Sequence, residues 1–505
     1  MPAEGAAVPA TRKGLILASL MLAMFMAAIE ATIVATAIPA IVADLGGFAR
    51  YSWVFSLFLL TSATTVPIYG KLADLYGRKP VFLAGSGLFL LGSVLCGTAR
   101  SMNELVLYRA LQGLGAGAVQ PITMTIVGDL YPLEERARVQ GYLSSVWGIS
   151  SIIGPAAGGL LVEHAGWPWV FFINVPIGLL AMAGILLFLQ EPRRQGDVYI
   201  DYQGSFWLTV AISALLVQLV EGGSGWPWLS PQAAALLAVA GAAGALFIRQ
   251  ERRAPDPVLP LGLLARPLIR AANLGGLVGG AIIAGISSTV PTFVQGVLGR
   301  SVTVGGFALA TMSIGWPLAA TVSGRLMLRF GFRPTALAGA VIGVAGALVL
   351  LTTGAGSTVA QVAAGSFLIG ASMGLTMTTY IVSIQNAVPR HERGVVTGSQ
   401  AFARMLGSAI GAALVGAIIN GRLAAHLAGH PDLARLGGDA GNLLLDEARR
   451  ALLDDALLAV LRSGFAEAFH AAMWAILVLN LLILPIARML PAGVGGRQDD
   501  RAGVA

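Results

Sequence analysis

Residues 24–42 read MFMAAIEATIVATAIPAIV, nineteen residues with a single charge, Glu30. In water a run this apolar needs a partner surface; in lipid it is the carboxylate that needs one. The rest of the chain decides between the two solvents. Of 505 residues 56% are hydrophobic and only 11% are charged, and the mean hydropathy is +0.78. A soluble chain of this length needs more polar surface. Apolar runs of about 20 residues, enough to cross a bilayer, recur from end to end. The expected fold class is therefore an all-α polytopic membrane protein.

Fourteen such runs lie at roughly 14–43, 51–71, 80–99, 102–128, 137–163, 168–190, 205–221, 230–249, 268–298, 303–326, 335–353, 357–388, 394–420 and 465–490. This divides the chain into a tail (1–13), a first six-helix bundle (14–190), a linker carrying two inserted helices (191–267), a second six-helix bundle (268–490) and a second tail (491–505). Most of the 32 Lys and Arg fall in short loops on the side of the N terminus. By the positive-inside rule both termini are expected in the cytoplasm, in a cell inner membrane. The net charge of +7 is then a topology signal, and nucleic acid is not an expected partner. The first fifteen residues lack a signal-peptide cleavage pattern. A single cysteine, Cys96, excludes an intramolecular disulfide.

The segment 421–464 is expected outside. Its stretch DEARRALLDDALLAVLRSG reads as an amphipathic helix on the outer surface, a packed loop helix or a dock for an envelope partner. A weak internal repeat is also present. ERARVQGYLSSVWGISSIIG (135–154) aligns with ERGVVTGSQAFARMLGSAIG (392–411), and at the same offset Gly113 and Gly117 meet Gly370 and Gly374. YGRKP (76–80) meets FGFRP (330–334) at a nearly equal offset. Repeated halves are a recurrent architecture of secondary transporters.

Three segments carry chemistry. In GKLADLYGRK (70–79), Gly70 and Gly77 permit a tight turn and close helix approach. Asp74 can accept charge-assisted hydrogen bonds at a helix end, and Arg78 and Lys79 anchor the interface. LVLYRALQGLGAGAVQP (105–121) sets Arg109 inside an apolar run, where it needs a partner or a wet cavity. GISSIIGPAAGG (148–159) places Gly148, Gly154, Pro155, Gly158 and Gly159 on one helix; the proline bends it and the glycines allow close packing.

In these three motifs, in this order, the chain resembles the major facilitator superfamily, in its fourteen-helix multidrug:proton antiporter branch. GKLADLYGRK is similar to the superfamily's signature loop, YRALQGLGAGA to its fourth-helix motif and GPAAGG to the fifth-helix motif of exporters; WPWVFFINVPIG (167–178) and the inserted helix pair resemble the fourteen-helix branch. The resemblance implies two six-helix bundles rocking about a central cavity, with two extra helices. It implies a cytoplasmic gate at Asp74 and Arg78, a part in proton coupling for Arg109, and a place between the halves for Gly154 and Pro155. Two features depart from the pattern. Glu30 stands where the branch usually has aspartate, with Ala35 near its usual asparagine, and Leu328 stands where the second loop, GRLMLRFGFRP, would carry its acid.

Glu30 lies about 24 Å along the first run, near the middle of the bilayer. Desolvation favours the neutral form of a carboxylate and a nearby guanidinium favours the charged form. A site that alternates between those surroundings takes up and releases a proton, so Glu30 with Arg109 is the expected coupling pair, a static ion pair or a ligand for a cationic substrate being the alternatives. Met26, Trp147, Trp316, Tyr380, Phe402 and Arg404 are candidates for an adaptable cavity, although core or lipid-facing packing suits each of the apolar ones and snorkelling suits Arg404. The five histidines form no metal-spaced pair, and no P-loop is present. The expectation is a non-enzymatic, cofactor-free, monomeric antiporter. It would use the proton gradient to export lipophilic small molecules, cationic ones among them. Export of a lipid or metabolite, or a non-transporting sensor, are the alternatives.

Overall fold

The computed structural model describes residues 10–46, 51–191, 201–222, 226–428 and 455–491. They form sixteen α-helices: α1 Ala10–Leu45, α2 Tyr51–Tyr76, α3 Arg78–Gly97, α4 Met102–Leu130, α5 Leu133–Ala165, α6 Trp169–Phe172, α7 Asn174–Phe188, α8 Tyr202–Glu221, α9 Pro231–Glu251, α10 Leu261–Leu264, α11 Pro267–Gly296, α12 Val302–Phe330, α13 Phe332–Leu351, α14 Val359–Ala387, α15 Arg393–Ala428 and α16 Asp455–Arg488. Each apolar run read from the sequence lies on one of them, or on the broken pair α6–α7. Twelve are long and apolar enough to cross a membrane, thirteen if the two arms of α5 count as one span. The expected fourteen is not reached by this measure. The run left out is α4, where Glu104, Arg109, Gln112, Gln120, Asp129 and four glycines dilute the apolar content. The exterior is apolar: Leu107, Leu180 and Leu187 are each more than 60% exposed. In water such a surface would aggregate, so the chain is a multi-pass membrane protein.

The helices group into two compact units, one of 1–217, 234–265 and 384–402, the other of 218–233, 266–383 and 403–505. The first unit thus includes the end of α14 and the start of α15, which chain order would assign to the second bundle. In it, α4 packs on α2 and α3, and α1 packs on α5 and α7. One apolar core gathers Leu20, Met24, Met26, Phe82, Phe89, Ile122 and Ile185, and another gathers Ile29, Ile33, Val54, Leu105 and Phe171. Along α1 these cores meet at Glu30. In the second unit α11 packs on α12 and α16, and α16 also on α13.

Within the segment 421–464, residues 421–428 continue α15 and 455–464 begin α16, so the described part of the stretch read as an amphipathic helix is helical. The middle of that segment, including the start of its amphipathic stretch, lies outside the described residues. α5 bends by 47° between Leu133–Ser151 and Ala156–Ala165, a break that contains Pro155.

Candidate functional site

Small residues on α4 let the charge in. A Cβ on Gly113 would come within 2.5 Å of the Phe58 carbonyl oxygen, and one on Gly117 within 2.7 Å of that of Ser62. α2 therefore lies against α4 with backbones nearly touching, and Arg109 is carried into the middle of the first unit. There it pairs with Glu30. Both side chains are shut off from the surface, at 0% and 1% exposure. Two buried charges are tolerable only when their remaining donors and acceptors are also met. The Arg109 Nε donates to the Val54 carbonyl at 3.0 Å and its Nη1 also donates to Gln112 Oε1 at 2.7 Å. Its guanidinium lies over the Phe58 ring at 4.0 Å, a further cation–π stabilisation.

Three uncharged side chains complete the site. Asn174 Nδ2 donates to the second Glu30 oxygen at 2.5 Å and to Ser93 Oγ at 3.0 Å. Gln112 Nε2 donates to the same hydroxyl at 3.2 Å, and Ser93 in turn donates to the Phe171 carbonyl at 2.8 Å. The result is a closed ring, Glu30–Arg109–Gln112–Ser93–Asn174, drawn from α1, α3, α4 and α7. Asn174 reaches it from the first residue of α7, just after the break between α6 and α7. Sequence reasoning singled out the two charges and missed the three neutral members. The one signal for Asn174 was an amide in the apolar stretch FFINVPIG. Cys96, the lone cysteine, is buried beside Gln112 with Sγ 3.7 Å from its Oε1.

A second charged cluster lies at the end of the unit that carries the 70–79 loop. Gly77 has φ +96° and ψ 158°, a backbone region open to glycine alone, and it turns the chain from α2 into α3. The Asp74 carboxylate accepts from the backbone N–H of Gly394 at 3.0 Å and of Val395 at 2.7 Å. These are orphan donors in the first turn of α15, where the helix dipole also favours a negative charge. Gly70 allows the approach, since a Cβ there would come within 2.7 Å of the Gly394 carbonyl oxygen. Arg78 bridges Asp74 and Asp129, each at 2.9 Å. Asp129 also takes Arg393 at 2.9 Å and Arg390 at 3.2 Å. Lys79 donates to the carbonyls of Leu186 at 2.7 Å and Leu189 at 2.9 Å, closing the end of α7. The Asp129 side chain, at the end of α4, is buried at the centre of three arginines. Its role and those of Arg390 and Arg393 depend on contacts between segments far apart in the chain, which spacing alone does not disclose.

The glycine motif of α5 is used within the first unit. A Cβ on Gly154 would come 2.8 Å from the Thr32 Cβ, and one on Gly158 3.1 Å from the Ile33 carbonyl oxygen, so α5 lies directly on the helix that holds Glu30. Gly148 is half-buried, and Gly159 faces open space. The cavity candidates are scattered. Met26 is wholly buried in the apolar core and Tyr380 is wholly buried in the second unit. Trp147 is 37% exposed, and Trp316, Phe402 and Arg404 are half-buried.

A buried acid–arginine pair between apolar packed helices marks a functional site in a membrane protein. The family model of the Major Facilitator Superfamily matches residues 20–200 and 201–412. The chain belongs to the major facilitator superfamily. It is thus a membrane transporter and not an enzyme. Over 414 residues it is 37% identical to the multidrug transporter protein MdtP of Bacillus subtilis, covering 82% of this chain and 76% of that one. Over 400 residues it is 35% identical to multidrug resistance protein 3 of the same organism, covering 79% and 78%. Its fold is similar to that of the human organic anion transporter MFSD10 (TM-score 0.60, 14% identity, covering 91% of this chain and 99% of that one).

Proposed function

We propose that this chain is a proton-coupled antiporter of the fourteen-helix branch, exporting lipophilic small molecules, cationic ones among them, from the cytoplasm across the inner membrane. The observation that carries the proposal is the Glu30–Arg109 pair, buried at the junction of two apolar cores. A charge there is costly unless it is held as this one is. Its retention is explained if the pair opens during transport: a carboxylate parted from its guanidinium in a dry site takes a proton, and one returned to it gives the proton up. Similarity to two multidrug proteins supports the efflux direction and the substrate class. Both termini lie in the cytoplasm on this reading. The Asp74–α15 clasp is then the cytoplasmic gate, with Arg78 and Asp129 as its charged reinforcement. A chain acting as a monomer and drawing on the proton gradient alone needs no cofactor.

The test is ligand-induced proton release from the purified protein, measured over a panel of lipophilic cations, neutral drugs and lipids. The wild type releases protons on binding its substrates and Glu30→Gln does not. Release confined to the lipids of the panel would move the substrate class to an endogenous lipid on the same scaffold.

A further inference from the structure

The ring around Glu30 has a one-sided hydrogen-bond polarity. Among the described residues the two groups bonded to its carboxylate, Arg109 Nη1 and Asn174 Nδ2, are both donors. That arrangement suits the charged carboxylate. A protonated Glu30 carries an O–H of its own, and a guanidinium has no lone pair to receive it. The acceptor it needs is already in the ring. Asn174 Oδ1 is buried and without a hydrogen-bond partner among the described residues, on a side chain with 0% exposure. An unsatisfied buried carbonyl is costly, so its retention calls for a reason. The orientation of the amide is set by its surroundings: Glu30 offers only acceptors, and the Ser93 hydroxyl already spends its proton on Phe171.

We propose that Asn174 is an amide switch and the positioning residue for the coupling proton, turning about its Cβ–Cγ bond as Glu30 is protonated. In the charged state Nδ2 donates to Glu30 Oε2. When the Glu30–Arg109 pair opens and a proton reaches that oxygen, the amide rotates by half a turn. Oδ1 then accepts the new carboxyl O–H, and the Ser93 hydroxyl swings from the Phe171 carbonyl to the same Oδ1. No bond other than O–H forms, and the proton leaves by the reverse motion. The switch rests on the proposal that Glu30 carries the coupling proton.

The experiment is pH-titrated infrared difference spectroscopy on the full-length protein, with asparagine side chains isotopically labelled, from about pH 4 to about pH 10. Glu30→Gln identifies the carboxyl band and Asn174→Leu the amide band. The expected result is a Glu30 carboxyl band appearing on acidification, and an Asn174 amide C=O band moving to lower wavenumber with the same pH midpoint. The amide shift should be lost in Glu30→Gln, which keeps the test open if Asn174→Leu does not fold. A Glu30 band that titrates while the Asn174 band stays fixed overturns the switch and leaves proton coupling standing. Absence of any band sensitive to Glu30→Gln overturns the coupling reading and the switch with it.

Discussion

The loop joining α2 to α3 and the loop joining α12 to α13 are repeats, yet they share only their backbone devices. Gly77 and Gly331 adopt nearly the same conformation, φ +96° and ψ 158° against φ +94° and ψ 175°. Lys79 caps α7 through the Leu186 and Leu189 carbonyls, and Arg333 reaches the Leu490 carbonyl just past α16 at 2.7 Å. The acid–arginine pair is not repeated. Where the first loop has Asp74 and Arg78, the second has Leu328 and a buried Phe332. The same asymmetry holds in the membrane, where the repeat partner of Arg109 is Ser366, buried and bonded to the Val362 carbonyl at 2.9 Å. Turn and cap thus belong to folding and are present twice. The Asp74–Arg78 and Glu30–Arg109 pairs belong to the first unit, and the second-unit positions that match Asp74, Arg78 and Arg109 are uncharged.

Four substitution pairs can break or sharpen that contrast, each followed by heating in detergent with a thiol dye that reaches the buried Cys96 only on unfolding. Arg109→Leu leaves the Glu30 carboxylate buried and unpaired, at a cost of about 3–5 kcal/mol, whereas Ser366→Ala should stay within about 1 kcal/mol. Asp74→Ala strips the α15 N–H groups and Arg78 of a shared acceptor. Its expected cost of about 2–3 kcal/mol stands against less than about 1 kcal/mol for Leu328→Ala at a partly exposed site. Gly77→Ala and Gly331→Ala should each lose about 1–3 kcal/mol, and by similar amounts, because both place a Cβ in a glycine-only region. Lys79→Ala and Arg333→Ala, removing one cap apiece, should each cost roughly 0.3–1 kcal/mol. Equal losses at Asp74 and Leu328, or unequal ones at the two glycines, would contradict the division between folding and transport parts.

The chain's sequence discloses its helices well because the bilayer imposes both their length and their apolar character; each apolar run falls on a helix or on the broken pair α6–α7, while the four-residue α10 matches none. The run at α4 shows the limit, since glycines and polar residues needed for packing and chemistry lower the very signal that marks a span. Within the site, Glu30 and Arg109 are conspicuous as opposite charges in apolar runs. Ser93, Gln112 and Asn174 are not, because a neutral polar residue in such a run has many harmless uses. Asp129 escaped for a different reason: a helix-end acid is solvated by default, and its burial comes from Arg390 and Arg393, more than 250 residues further along. The segment 421–464 was legible only in part, because the alanine-rich, charged continuations of α15 and α16 are helical without being apolar.

The central claim is that Glu30 carries the proton that drives export. Its most direct test is transport in proteoliposomes under an imposed pH gradient, with tetraphenylphosphonium as the lipophilic cation and Glu30→Gln beside the wild type. The wild type should move the cation uphill with a counterflow of protons, while Glu30→Gln should bind and exchange it but only downhill. Uphill movement by Glu30→Gln with undiminished proton dependence would contradict the claim.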